Sequence, residues 1–355
     1  MPNPTQSPGN ILICRTDRIG DVVLTTPAAT ALKAHFPDCR ITFLVRDYTR
    51  PLVAQHRHID HILTYDPEGR HRGIAGHLRL AQELRDQNFD WAIMSRPRPA
   101  IAAVLWFSGI PNRVGIGYRW YSLFLNRRIF EHRRDGARHE TDYNLSFLKP
   151  LIGETLPEVR FDFNLAANLV SWREQWLRNR DISTPYVIVH PGSGGSAPNL
   201  TPTQYRFLLK GILQQTECRI LVTGSAAERE LGDEIIGDFE GERVRNLCGE
   251  LDLPELMSVI AGASLFMASS TGPFHIANAF GVPVLGFYCP IAPYAPSRWG
   301  PYHQQEWVLT QSVQSCSHSD KNGFAAGSCL TELEDARLGE MLEKRLKDLG
   351  LLRVD

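Results

Sequence analysis

No apolar run in the 355 residues approaches the ~20 needed to span a bilayer, so an integral membrane helix is not expected. Residues 1–10 lack a basic n-region and an apolar h-region, and so do not read as a secretory leader. Cysteine is sparse and odd in number, seven in all. That fits a reducing compartment better than a disulfide framework. There is no charge surplus either: 38 Lys+Arg against 39 Asp+Glu leave a net −1, which disfavours a globally basic nucleic-acid binder. Short-period repeats and low-complexity tracts are missing. What remains is 43% hydrophobic and 22% charged, enough for two cores at about 150 residues per domain. A cytoplasmic, two-domain protein of the catalytic kind is expected.

The chain then reads as two series of α/β units. The apolar run 11–14 is followed by a tight Arg-Ile-Gly-Asp turn at 18–21. A helix is predicted from 21 to 36 through Val22, Val23, Ala29, Leu32 and Phe36, and a second strand at 41–45. Strand, helix, strand in this order predicts a right-handed βαβ unit and a parallel sheet. Further strands are predicted at 91–94 and 113–116. After residue 185 the pattern restarts, with strands at 186–190, 219–224, 265–268 and 282–287 and helices from about 203 to 215 and from 226 to 239. The segment 150–185, with Pro157 and the Trp172, Arg173, Trp176, Arg178 cluster, is the expected junction. Two Rossmann-like lobes predict a ligand in the cleft beyond the carboxyl ends of their strands.

Four loops carry candidate chemistry. Gly20 allows a sharp turn and puts Asp21 at a helix start, as a capping carboxylate or a general base. Pro191-Gly192-Ser193-Gly194-Gly195-Ser196 lets backbone approach a ligand closely, or is a plain connector. It matches neither G-x-G-x-x-G nor G-x-x-x-x-G-K-[ST], which weakens the case for NAD and for P-loop chemistry. Thr223-Gly224 leads to Glu228, a ligand for sugar or ribose hydroxyls or a solvated residue of a first helical turn. Ser269-Ser270-Thr271-Gly272-Pro273-Phe274-His275 follows a strand and opens a helix that Gly281 would end. That helix start suits a phosphate, with Ser270, Thr271 and His275 as side-chain donors; the plainer alternative is a Ser/Thr cap.

In this order the four loops resemble glycosyltransferase family 9, the ADP-heptose:lipopolysaccharide heptosyltransferases. The resemblance runs from Ile11 to the helix near Leu349 and rests on four stretches. These are Arg-x-Asp-Arg-Ile-Gly-Asp-Val-Val-Leu-Thr-Thr-Pro, Phe36-Pro37, His190-Pro191-Gly192-Ser193, and Ser270-Thr271-Gly272-Pro273-Phe274-His275-Ile276-Ala277. It implies an α/β GT-B fold of two Rossmann-like domains. Residues 1–165 would bind the acceptor and 166–332 the nucleotide-sugar, with a C-terminal helix and tail at 333–355. It implies an inverting, metal-independent transfer without cofactor, with Asp21 as the catalytic base. Ser193, Gly194, Glu228, Ser270, Thr271, Gly272 and His275 would bind the donor, ADP-heptose. The chain departs from the family's pattern at Ser270, often an aspartate there, and at Ala197-Pro198-Asn199-Leu200, where a cation and a Trp are usual.

Seven Arg between 113 and 138 interleave with Tyr118, Trp120, Tyr121, Phe124 and Phe130. Such a segment suits an anionic amphiphile such as phosphorylated or Kdo-bearing lipid A, or an anionic membrane face. It is equally a solvated surface with Arg stems lying on apolar patches. Arg18, Arg119, Arg127 and Arg128 are the candidate acceptor contacts. The expected setting is cytoplasmic, with peripheral contact at the inner face of the inner membrane and no nucleic-acid partner. Cys316, His318 and Cys329 are too few and too scattered for zinc. A charged amphipathic helix is predicted at 333–349, its stripe Leu338, Met341, Leu342 and Leu346 facing the core. Two other readings stay open: the same fold with another sugar or surface-glycan acceptor, and a catalytically silent nucleotide-sugar-binding protein.

Overall fold

Runs of Val, Ile, Leu and Phe with no alternating polar residue suit strands covered on both faces, as in parallel sheets. In the computed structural model, which describes residues 8–133, 136–182, 185–239, 241, 243–292, 294–312 and 330–353, these runs become two six-stranded sheets, all of whose strand pairs are parallel. The first holds β1 (Asn10–Cys14), β2 (Arg40–Val45), β3 (His61–Thr64), β4 (Trp91–Met94), β5 (Asn112–Ile116) and β6 (Arg127–Ile129), in the order β3-β2-β1-β4-β5-β6. The second holds β7 (Tyr186–His190), β8 (Arg219–Val222), β9 (Val244–Asn246), β10 (Leu265–Ser269), β11 (Val284–Tyr288) and β12 (Val308–Thr310), in the order β12-β11-β10-β7-β8-β9. The two orders are the same topology, that of the doubly wound nucleotide-binding sheets.

The chain divides into two compact units. The first takes in Met1–Arg133 and Glu140–Asn164; the second takes in Arg134–His139 and Leu165–Asp355. The short excursion is held within the second unit: His139 Nε2 hydrogen-bonds Gly300 O at 2.9 Å and its ring meets Tyr302 edge-on. Each unit has its own core. In the first, Leu80, Leu84, Ile101 and Leu105 pack onto strand residues such as Leu12, Leu44 and Met94. In the second, Leu208, Ile212, Leu338, Leu342 and Leu346 pack on Val187, Ile220 and Met267. The closing helix is Asp335–Asp348. Cys316, His318 and Cys329 lie outside the described residues.

One local difference from the sequence reading has a clear cause. The single helix predicted over 21–36 is two, Ile19–Val23 and Pro27–His35. Pro27 has no N–H to continue the first helix, and its ring would clash with the carbonyl four residues back; it opens the second helix instead. The boundary between the units, at 164/165, falls within the expected 150–185 junction, and the Trp-rich helix, Ala167–Asn179, packs within the second unit. Arg173 donates to Ser258 O at 3.1 Å, and Ser258 donates to Leu169 O at 2.7 Å, against the Leu253–Ala261 helix of the second unit. Among the described residues no helix is long and apolar enough to cross a membrane.

Candidate functional site

In doubly wound sheets, ligands bind beyond the carboxyl ends of the strands where the order reverses. Those points fall between β1 and β4 in the first unit, and between β7 and β10 in the second. The loops that follow these four strands, and the one after β8, hold the candidate chemistry.

In the first unit, Asp21 sits in the first turn of the Ile19–Val23 helix, whose N-cap is Arg18 with no side-chain cap bond. Its carboxylate pairs with the Arg15 guanidinium. Arg15 is 2% exposed. Its Nε lies 3.1 Å from Asp17, its Nη2 3.4 Å from Glu140, and its Nη1 donates to Asn144 Oδ1 at 3.0 Å and to Ser95 Oγ at 3.4 Å. Burial opposes the charge on Arg15, but Asp21, Asp17 and Glu140 outweigh it and hold the guanidinium protonated. Asp17, itself buried, also pairs with Arg96 at 2.7 Å. Arg133 binds Glu140 and donates to Ser95 O at 3.0 Å. The network thus spans the gap between the β1 and β4 loops and fixes Asp21 from behind, leaving its carboxylate 15% exposed.

In the second unit, the loop after β7 turns through Gly194 and Gly195 at φ +52° and +73°, left-handed conformations that favour glycine. Gly192 has no side chain because Glu228 occupies the space: a Cβ there would lie 1.9 Å from Glu228 Oε1. Glu228 Oε2 accepts from the Ser225 amide at 2.7 Å and from its hydroxyl at 2.8 Å. Burial pushes the Glu228 carboxyl up, but the Ser225 amide and hydroxyl, His190 and the Gly194 amide together hold it below its ordinary range. His190, at the end of β7, bonds Thr223 Oγ1 at 2.9 Å; burial drives its imidazole down to about 4, against the pull of Glu228.

The loop after β10 meets this group directly. Ser196 Oγ lies 3.4 Å from Ser270 O. Thr271 caps the Gly272–Ala279 helix through Phe274 N at 3.3 Å. Phe280 is the C-cap and Gly281, at φ +73°, closes the helix, with Val282 N on Ala277 O and Gly281 N on Asn278 O, both bonds of a Schellman turn. His275 is buried, its ring 6.3 Å from that of Trp299. Tyr288 donates to Trp299 O at 2.8 Å. Asn199, within the 197–200 stretch, donates to Ser193 Oγ at 3.1 Å, so it braces the loop.

The structure therefore gathers Ser193, Gly194, Glu228, Ser270, Thr271, Gly272 and His275 around one switch point, built from backbone N–H groups, hydroxyls and one acceptor carboxylate. The arginines are scattered. Arg18 is exposed beside Asp21. Arg127 stacks 5.9 Å from the ring of Trp91, the first residue of β4, and so lies at the amino end of the sheet. Arg128 reaches Leu125 O, and Arg119 covers Tyr118. The sequence alone gives Arg15 and Asp17 no role, counts Arg133 only among the seven Arg of 113–138, and does not point to Arg96 or Glu140. A charged run directly after a buried strand was the signal; its partners lie 80 and 125 residues away. Among the described residues no group of three or more His, Cys, Asp or Glu could hold a metal ion.

Comparison with known proteins bears on the family and the fold. The model of glycosyltransferase family 9 (heptosyltransferase) matches residues 77–326. A Haemophilus influenzae protein named no further than as a glycosyltransferase is 30% identical over 299 residues, 82% of this chain and 85% of its own. The lipopolysaccharide core heptosyltransferase OpsX of the same organism is 26% identical over 326 residues, covering 87% and 86%. Among solved structures, the Escherichia coli ADP-heptose lps heptosyltransferase II superposes with a TM-score of 0.75 at 20% identity, covering 96% of this chain and 99% of that one.

Proposed function

The chain belongs to glycosyltransferase family 9, and we propose that it moves a heptose from ADP-heptose to an anionic, lipid-linked acceptor of the lipopolysaccharide inner core. Its fold is GT-B, two parallel six-stranded units. The observation that carries the reading is Asp21, partly exposed at the carboxyl end of β1 and fixed by buried Arg15. A carboxylate so held can take the proton of an acceptor hydroxyl. The hydroxyl oxygen then bonds to the anomeric carbon from the face opposite the leaving group, the glycosidic C–O bond breaks, and ADP departs with the electron pair. Inversion follows from the single displacement. On the donor side, the 192–196 loop amides and the Thr271-capped helix start offer N–H groups to the diphosphate, which is stabilisation aimed at developing charge. Glu228 offers lone pairs to sugar or ribose hydroxyls. Arg18 and Arg96 supply positive charge beside Asp21 for a phosphorylated or carboxylated acceptor. The relatives named for ADP-heptose and for the lipopolysaccharide core support the donor and acceptor classes.

Thermal stabilisation by ADP against UDP, GDP and CMP tests the donor, since a ligand at a hundred times its Kd adds about 2.7 kcal/mol. ADP alone should raise the melting temperature; a response to another nucleotide alone overturns the donor assignment. Transfer from ADP-heptose to Kdo-bearing lipid A, followed by mass spectrometry, tests the acceptor.

A further inference from the structure

We infer that Glu140 and Arg133, with Asn144, are positioning residues for the base, so that the 134–139 excursion between the first two sets where the Asp21 carboxylate stands. The inference deepens the reading of Asp21 given above and rests on it. All three residues act through Arg15 and through the helix that carries Asp21.

Asp21 and Glu140 share one nitrogen. Arg15 Nη2 pairs with Asp21 and stands 3.4 Å from Glu140 Oε1. The rest of the guanidinium is engaged as well: Nε lies 3.1 Å from Asp17, and Nη1 donates to Ser95 and Asn144. A rigid planar fork met on every edge has one orientation. A shift of Glu140 must therefore turn it and disturb its bond to Asp21. Glu140 is 1% exposed, so protein groups must meet its charge; these are Arg15 and Arg133. A second tie reaches the same place. Glu140 opens the helix Glu140–Ser146, and Asn144, four residues on, lies on the same face. Its Oδ1 accepts from Arg15 Nη1 at 3.0 Å and its Nδ2 donates to Leu24 O at 3.0 Å. Leu24 is the C-cap of Ile19–Val23. One short helix thus holds Asp21 through its ion-pair partner and through the end of its own helix.

Both ends of the excursion meet on this helix. Arg133 binds Glu140, donates to Ser95 O at 3.0 Å and to Asn144 Oδ1 at 3.3 Å, and lies over the rings of Tyr143 and Phe147 at 5.7 and 5.3 Å. Between Arg133 and Glu140 the chain belongs to the second unit. There Gly136 O accepts from Ser297 Oγ at 2.9 Å, His139 Nε2 bonds Gly300 O at 2.9 Å, and the His139 ring stands 4.8 Å from that of Tyr302. One peptide bond joins this anchored histidine to Glu140, a tie too short to let the two move independently. The second unit therefore takes part, through the chain itself, in fixing the base of the first. A plain connector runs over the surface; here Gly136, His139, Glu140 and Thr141 are all buried.

The test is a double-mutant cycle on transfer from ADP-heptose to Kdo-bearing lipid A by the full chain, with kcat read apart from KM and from ADP affinity. Glu140→Gln keeps the shape of the side chain and removes its charge; His139→Ala releases the excursion from Gly300 and Tyr302. Each should lower kcat at least about tenfold, since misplacing a reacting group by about 1 Å costs up to roughly a hundredfold. ADP affinity by calorimetry should stay at the parent level. On the Asp21→Asn background neither change should lower kcat further, because groups that act through one another do not add. A merely structural part would give losses that multiply on that background. Should Glu140→Gln fail to fold, the His139→Ala cycle decides. With Asp21→Asn itself slow, multiplied losses or a parent kcat in either single variant overturn the inference alone. Asp21→Asn at the parent rate overturns the reading of Asp21 and the inference with it.

Discussion

The guanidinium of Arg15 and the carboxylate of Asp21, six residues apart on either side of one turn, form an ion pair in which the arginine is buried and the carboxylate still reaches solvent. The Asp21 carboxylate is thus held in place from its buried side.

Asp21→Asn keeps the size of the side chain and removes its basicity. Transfer should fall by roughly 10²–10⁴, the usual contribution of a general base, while ADP binding by calorimetry stays at the parent level. Transfer at the parent rate would reduce Asp21 to a structural partner of Arg15.

Arg15→Met leaves Asp21, Asp17 and Glu140 without their shared cation. Breaking a buried ion pair from one side costs about 3–5 kcal/mol, so the melting temperature of the variant should drop by about 4–7 °C at this chain size. Differential scanning calorimetry measures it. A drop of only a degree or two would mean that Arg96 and Arg133 suffice to hold the three carboxylates.

Gly192→Ala places a methyl group where Glu228 Oε1 now lies. The carboxylate must move off the loop, and ADP-sugar affinity should fall at least about tenfold, as misplacing one charged hydrogen-bonding group costs. The conservative Glu228→Gln should lose less. Equal affinity in Gly192→Ala and the parent would remove Glu228 from the donor site.

His190 and His56 are both lowered to about 4, chiefly by burial. The unfolded chain binds a proton at these positions near the ordinary 6.5, and the native one does not until about 4. The unfolded state is thus favoured by acid: each histidine contributes stability in full above pH 6.5 and loses it as pH falls toward 4. A span of this size is on the order of 3 kcal/mol per group. Melting temperatures should decline over that window, and His190→Asn should flatten the decline. The same slope in parent and variant would contradict it.

The long apolar strands were readable because burial on both faces leaves an unbroken signature, as in 186–190. The capped helix at Thr271 and its stop at Gly281 were readable because the cap and the left-handed glycine are local. The short edge strands β3, β6, β9 and β12 were not. They expose one side, carry residues such as Arg127, Arg128 and Arg245, and owe their conformation to a neighbour. The break at Pro27 was visible in the sequence but was outweighed by the periodicity around it. The network behind Asp21 was illegible, since Glu140 and Asn144 reach Arg15 only through the fold.

The short passage through residues 136–139 bears on dissection of the molecule. A gene cut after residue 164 would express a front fragment carrying a stretch of chain that belongs elsewhere, and a back fragment missing the imidazole that fastens Gly300 and abuts Tyr302. Neither product would be a true half. Separate production of the two units calls for a rearranged gene, with the excursion spliced onto the rear portion and a bridge closing residues 133 to 140 in the front.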